Sequence, residues 1–386
     1  MIISFFENDN YSDLYPLSWT RPCADIRVGI FTIAEKWKHD LNADSIGFET
    51  RDYLQNKFAK INKPNIRLNS NILPNKEIIN SILDTPDNST IKNGEQIIAI
   101  KGTGNHTVEM NIKFNSINRP FHIFKYSGEE IHSDFDRITE NRVSQPLSTT
   151  NTVIGDNPIF LEEGAKVECV IFNTTEGPIY IGKDAQVMEG SIVRGPFAMG
   201  EGSNIKMGSK VYGSTSIGPY CNIGGEVNNI SIQGYSNKGH DGFLGNAVLG
   251  EWCNIGADTN CSNLKNTYEE VKVWNYSSQR FEKSGEQFCG LIMGDHSKCG
   301  INTMFNTGTV IGVACNLFGA GFPRQFVPDF SWGGATGFVT HKIPAVEKTA
   351  KLMMVRRKKE FDDIEQSILN SVFELTKKLR TWEGND

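Results

Sequence analysis

The stretch IGKDAQVMEGSIVRGPFAMGEGSNIKMGSKVYGSTSIGPYCNI, residues 181–223, decides the fold. An apolar residue returns at every sixth position, at Ile181, Val187, Val193, Met199, Ile205, Val211, Ile217 and Ile223. Neither a helix (period 3.6) nor an ordinary strand (period 2) has that spacing. The phase recurs at Phe243, Leu249, Ile255 and Cys261, and again at Met293, Cys299, Phe305, Ile311 and Leu317. Nine of these seventeen positions are followed directly by Gly, and 37 Gly in 386 residues would supply fewer than two by chance. A hexapeptide repeat of this kind builds a parallel β-helix, each six-residue side sending one residue inward and turning at a corner. Glycine at the corners permits positive φ.

Two interruptions break the repeat. Ile223 and Phe243 are twenty residues apart, which is not a multiple of six, so the chain is expected to leave the coil as a loop there. That loop holds Gly234-Tyr235-Ser236-Asn237-Lys238-Gly239-His240-Asp241-Gly242, polar and with one imidazole. A second excursion, from about Asn263 to Phe288, carries Lys265, Lys272 and Arg280. Loops on rigid scaffolds are where binding and catalytic groups concentrate.

Length and composition bound the rest. A chain of 386 residues predicts two or three domains. At 38% hydrophobic and 22% charged it reads as a soluble globular protein, and its apolar runs fall far short of the roughly 18 residues of a membrane span. The start MIISFFENDN has no basic region ahead of an apolar stretch, so no secretory signal is expected and the cytoplasm is the expected location. A net charge of −6 gives no reason to expect nucleic acid. Seven of the eight cysteines lie in the repeat region without a CxxC arrangement, and they read as reduced core residues with no metal site.

Outside the repeat the pattern changes. Apolar strands such as Ile2–Phe6 and Gln96–Ile100 alternate with helical stretches at Thr32–Leu41 and Gly128–Ile138, which predicts an α/β layer. From Ala345 to Arg380, apolar residues at Leu352, Val355, Phe361, Ile364, Ile368, Val372 and Leu375 follow a helical spacing, with Arg356-Arg357-Lys358-Lys359 as its solvated face. The expected class is α/β plus β, divided at 1–147, 148–330 and 331–386.

The stretch Ser236 to Asn246, followed by Leu249-Gly250-Glu251-Trp252-Cys253-Asn254-Ile255-Gly256-Ala257-Asp258-Thr259, resembles the acetyltransferase domain of the GlmU family. That family joins a sugar-1-phosphate uridylyltransferase to a glucosamine-1-phosphate N-acetyltransferase, and reads K-(A/x)-(G/P)-H-L-x-Y-x-G-D and N-I-G-A-G-T at these places. Asn263-Leu264-Lys265 and Met293 to Asn302 look similar too, so the likeness covers roughly residues 150–320. Pro16-Leu17-Ser18-Trp19-Thr20-Arg21-Pro22-Cys23 looks like the P-L-T-x-x-x-P-K stretch of sugar-phosphate nucleotidyltransferases, although the glycine-rich phosphate loop is absent and Cys23 stands where that family has Lys.

The resemblance implies a left-handed β-helix, a reduced Rossmann-like nucleotidyltransferase domain before it, a homotrimer, and acetyl-CoA as co-substrate. It makes His240 the general base, a task for which an imidazole with a reference pKa of about 6.5 is suited. It places Lys210, Glu226, Lys238 and Asn254 at the sugar phosphate, and Ala257, Asn263, Ile301 and Gly319 beside the donor. Arg21 and Arg27 are the candidates for nucleotidyl transfer, with Mg2+ as that reaction's expected ion. The sequence departs from the family at Lys210 for Arg, Asn228 for Lys and Phe243 for Tyr; the first gives up bidentate phosphate geometry. Two other readings fit the residues: a nucleotidyltransferase using the β-helix as a scaffold, and a non-catalytic assembly protein.

Overall fold

The computed structural model describes residues 1–383, so residues 384–386 of the expected C-terminal extension lie outside the described residues. Its first part is a six-stranded sheet of β1 (Ile2–Phe6), β2 (Ser45–Glu49), β3 (Ile66–Asn69), β4 (Ser89–Asn93), β5 (Gln96–Lys101) and β6 (His106–Glu109), in the order β2-β1-β3-β5-β4-β6. β1 runs parallel to both β2 and β3, while β5 is antiparallel to β3 and β4. Helices α1 (Ile33–Asp40), α2 (Lys76–Asp84) and α3 (His122–Thr139) accompany the sheet. α1 begins where Thr32 accepts from the Glu35 amide and the Glu35 carboxylate accepts from the Thr32 amide, a reciprocal cap that satisfies two donors the helix leaves unpaired.

The hexapeptide region is a parallel solenoid whose coils present three short strands each. In one coil these are Ile192–Arg194 on face A, Phe197–Met199 on face B and Asn204–Ile205 on face C. Interior columns form because the sixth residue of every side stacks on its counterpart one coil away: Val193, Val211, Val227 and Leu244 on face A, Met199, Ile217, Ile232 and Leu249 on face B. All eight are buried in one continuous core. On the inner side of the B–C edge, Cys221 and Cys253 alternate with Ser203 and Ser236, each cysteine amide donating to the serine hydroxyl one coil away. All eight cysteines are free, and only Cys169 is exposed.

The two interruptions behave differently. Between Ile223 and Phe243 the chain does not leave the solenoid. Strand Glu226–Gly234 runs along faces A and B in register with its neighbours, and Asn237–Lys238 continues face C beside Asn222–Ile223. The coil is merely shortened, with Asn222 and Asn237 fifteen residues apart instead of eighteen. Positive φ at Gly225 (72°) and Asn229 (52°) lets two corners close tightly and absorb the deletion. The inward residue of the following strand is therefore Leu244, and Phe243 stands on the outside of face A. The second interruption is a true excursion, an antiparallel hairpin of Lys272–Asn275 and Arg280–Lys283. It docks on the N-terminal part through the Arg119–Glu282 ion pair at 2.7 Å and through Tyr276, packed edge-on to Tyr15 and Trp19.

Face B is covered. Ile131 and Phe135 of α3 pack on its outward residues Phe160, Tyr180 and Ala198, while Val248, Ile292 and Val310 farther along share a core with the N-terminal sheet. The C-terminal segment forms two helices, α4 (Ile343–Val355) and α5 (Asp363–Leu375), seated against the same core through Val346, Ala350, Ile368 and Val372. Leu352, Val355 and Leu375 of the helical spacing stay exposed. The basic run lies in the turn between the helices, where the Arg357 guanidinium donates to Asn237 on face C.

Candidate functional site

His240 stands exposed at the corner where face C turns into face A. The same corner recurs in each coil, and the backbone joins its successive turns: the Asp258 amide donates to the Asp241 carbonyl at 3.0 Å, and the Asn302 amide to the Ala257 carbonyl at 2.8 Å. His240, Ala257, Ile301 and Gly319 thus form one column along the C–A edge. Ile301 is 69% exposed, so the edge presents an apolar side chain as well as an imidazole. Asp241 and Asp258 add two exposed carboxylates to this edge. The sequence reading missed them, although Asp241 adjoins His240; only the coil register shows that Asp258 stacks on it.

Beside this edge, the outward residues of face A line up as Lys210, Glu226 and Phe243 on consecutive coils. Lys210 and Glu226 are paired at 3.6 Å, and both side chains are more than a third exposed. Such a pair contributes little to stability in water. It leaves a cation and an anion free to turn toward a polar ligand.

The other expected site residues lie elsewhere. Lys238 faces the interior of the solenoid, 1% exposed, with its amine donating to the Gly224 and His240 carbonyls. Burial pushes its pKa down to about 8, while Asp241 and Asp258 pull it back up. Asn254 sits outward on face C in a ladder with Asn222 and Asn237. Asn263 is across face A, at the A–B edge, where its amide donates to the Asn246 side chain at 2.8 Å.

Arg21 and Arg27 both point into the seam between the N-terminal part and face B. Arg21 is ion-paired with Asp295 at 2.5 Å and with Glu251 at 3.2 Å. Arg27 and Gln233 exchange hydrogen bonds, the Arg27 amide donating to the Gln233 side chain at 2.6 Å and the Gln233 amide donating back to the Arg27 carbonyl at 3.1 Å. The Arg27 guanidinium itself donates to the Gln233 carbonyl at 3.4 Å and to the Ile30 carbonyl, so both guanidiniums are engaged in holding the N-terminal part to the solenoid. At the carboxyl ends of β1 and β2, where open α/β sheets take their ligands, Arg51 fills the space. It pairs with Glu7 and lies over the Tyr11 ring at 4.8 Å. Among the described residues no three His, Cys, Asp or Glu side chains gather to hold a metal ion. No helix among them is long and apolar enough to cross a membrane.

Residues 3–143 match the family model described as sugar nucleotidyl transferase. No curated protein matches the chain in sequence. Several solved structures resemble it in part. The UDP-N-acetylglucosamine acyltransferase from Campylobacter jejuni is 16% identical over 62% of this chain and 86% of its own, with a TM-score of 0.27. AntD, an N-acyltransferase from Bacillus cereus solved with dTDP and 3-hydroxybutyryl-CoA, is 13% identical over 56% of this chain and 100% of its own, with a TM-score of 0.24. The polySia-specific acetyltransferase NeuO is 12% identical over 50% of this chain and 87% of its own, with a TM-score of 0.27.

Proposed function

We propose that the chain is an acetyl-CoA-dependent N-acetyltransferase acting on a sugar phosphate of the glucosamine 1-phosphate kind, in nucleotide-sugar synthesis, on a left-handed β-helix. The observation that carries this reading is the C–A edge, where an exposed imidazole heads a column of Ala257, Ile301 and Gly319 beside the polar row of face A. In this reading His240 accepts a proton from the attacking amine. The amine nitrogen bonds the acetyl carbon, the carbon–sulfur bond breaks, and the proton passes to the leaving thiolate. Lys210 and Glu226 orient the sugar phosphate, and the column supplies backbone groups and shape to the donor. A homotrimer goes with this reading. Ile171 and Ile192, both exposed on face A, are available for packing of a neighbouring copy.

The match of residues 3–143 favours a second activity in the same chain, sugar-1-phosphate nucleotidyl transfer by the N-terminal part. With Arg21 and Arg27 in the seam, that activity would rest on other residues. A thermal-shift series with acetyl-CoA, CoA, UTP and dTTP tests both readings, because ligands that bind the native state raise its melting temperature. Acetyl-CoA and CoA are expected to stabilise the protein. Stabilisation by nucleotides alone would overturn the acetyltransferase reading.

A further inference from the structure

One lysine stands where the solenoid otherwise places only apolar side chains. The interior column of face C reads Ile205, Ile223, Lys238, Ile255, Cys299, Leu317, and every member is buried. Burying an ammonium among methylenes is unfavourable unless hydrogen bonds replace its water. Lys238 has two such bonds, to the Gly224 carbonyl at 2.8 Å and the His240 carbonyl at 2.7 Å.

The reason lies one position before each face A strand, where the residues are Ser191, Ser209, Gly225, Gly242, Thr259 and Thr303. On one side of the His240 coil, the hydroxyls of Ser191 and Ser209 donate to the Lys206 carbonyl. On the other, those of Thr259 and Thr303 donate to the Gly300 carbonyl. The two coils between have glycine instead. A Cβ on Gly225 would come within 2.9 Å of the His240 carbonyl oxygen, and one on Gly242 within 2.1 Å of that of Thr259. No hydroxyl can stand there, so the corner carbonyls of these two turns would lack the donor that their neighbours have. Lys238 supplies it from inside.

We propose that Lys238 is a positioning residue: its ammonium, fixed inside the coil, holds the His240 carbonyl and so sets where the exposed imidazole stands relative to face A. The inference rests on the acetyltransferase reading only for its effect on catalysis. The anchor itself is a property of the fold.

The test uses the full-length protein and two substitutions. Lys238→Met matches the side chain's shape and removes the donors, whereas Lys238→Gln keeps a donor within the coil. Hydrogen–deuterium exchange of the peptide spanning residues 236–246 is expected to quicken in Lys238→Met and to be largely restored in Lys238→Gln. In acetyl transfer, kcat is expected to fall about tenfold or more in Lys238→Met, since small displacements of a reacting group cost that much. KM for acetyl-CoA should change less than about twofold, with partial recovery of kcat in Lys238→Gln. Should Lys238→Met fail to fold, Lys238→Ile, which continues the column of Ile205, Ile223 and Ile255 and likewise removes the donor, carries the same comparison against the native chain. Unchanged exchange in residues 236–246 overturns the anchor, and quickened exchange with unchanged kcat overturns the positioning role. If the native protein transfers no acetyl group, the acetyltransferase reading fails, and the exchange experiment still decides whether Lys238 holds the turn.

Discussion

Arg21 and Asp295 meet in the buried seam between the N-terminal sheet and face B, their side chains 2.5 Å apart and only 7% and 4% exposed. Asp295 also accepts from the Thr20 hydroxyl at 2.6 Å and from the Glu251 amide at 2.9 Å, so one carboxylate ties the Pro16–Cys23 stretch to two coils of the solenoid. Removing one member of such a pair leaves the other charge buried and unpaired.

Arg21→Ala is therefore expected to destabilise the whole protein by about 3–5 kcal/mol, the cost typical of breaking a buried pair. Urea unfolding followed by circular dichroism measures it. A loss below about 1 kcal/mol, accompanied by a selective loss of nucleotide binding, would return Arg21 to a ligand site.

Gly242 has φ 112°, and its missing Cβ would lie 2.1 Å from the Thr259 carbonyl oxygen. Gly242→Ala is expected to cost about 2 kcal/mol or more, from backbone strain and the displaced coil together. The corresponding drop in melting temperature is read by calorimetry. A melting temperature at the native value would mean that this turn is looser than the solenoid register implies.

His296 is buried on the outer side of the B–C edge, in an aromatic stack with Tyr235 and Trp252, and burial pushes its pKa down to about 3. The unfolded chain protonates this imidazole near pH 6.5 and the folded chain does not until about pH 3, so the unfolded state binds more protons between those values. Its contribution is intact above pH 6.5 and is lost as the pH falls toward 3. His296→Phe, which suits a column that already holds Tyr220, Tyr235, Trp252 and Phe330 at positive φ, is expected to flatten the fall in melting temperature between pH 7 and pH 4. A parallel decline in both proteins would contradict this.

The solenoid was legible because its period is a property of the backbone: an inward residue every sixth position is visible in a single sequence. The shortened coil was not, because a deletion absorbed at corners by Gly225 and Asn229 looks in sequence like a loop. Lys238 was misplaced for the same reason, since a charged residue in a presumed loop is read as exposed, and only the register with Ile223 turns it inward. The Arg21 and Arg27 partners Asp295, Glu251 and Gln233 lie more than 200 positions away, beyond the reach of local pattern. The second excursion was legible because its break in the repeat is long, whereas its antiparallel hairpin of Lys272–Asn275 and Arg280–Lys283 was not read from the sequence.

The central claim is that His240 is the base at the C–A edge. The decisive measurement is steady-state acetyl transfer to glucosamine 1-phosphate by His240→Ala and the native protein, with acetyl-CoA binding to both followed by calorimetry. The expected result is a fall in kcat of roughly 10²–10⁴-fold with the acetyl-CoA dissociation constant nearly unchanged, because a general base acts on the amine and contributes little to holding the donor. A His240→Ala protein that keeps the native kcat, or that loses acetyl-CoA affinity in proportion to its rate, would contradict the assignment.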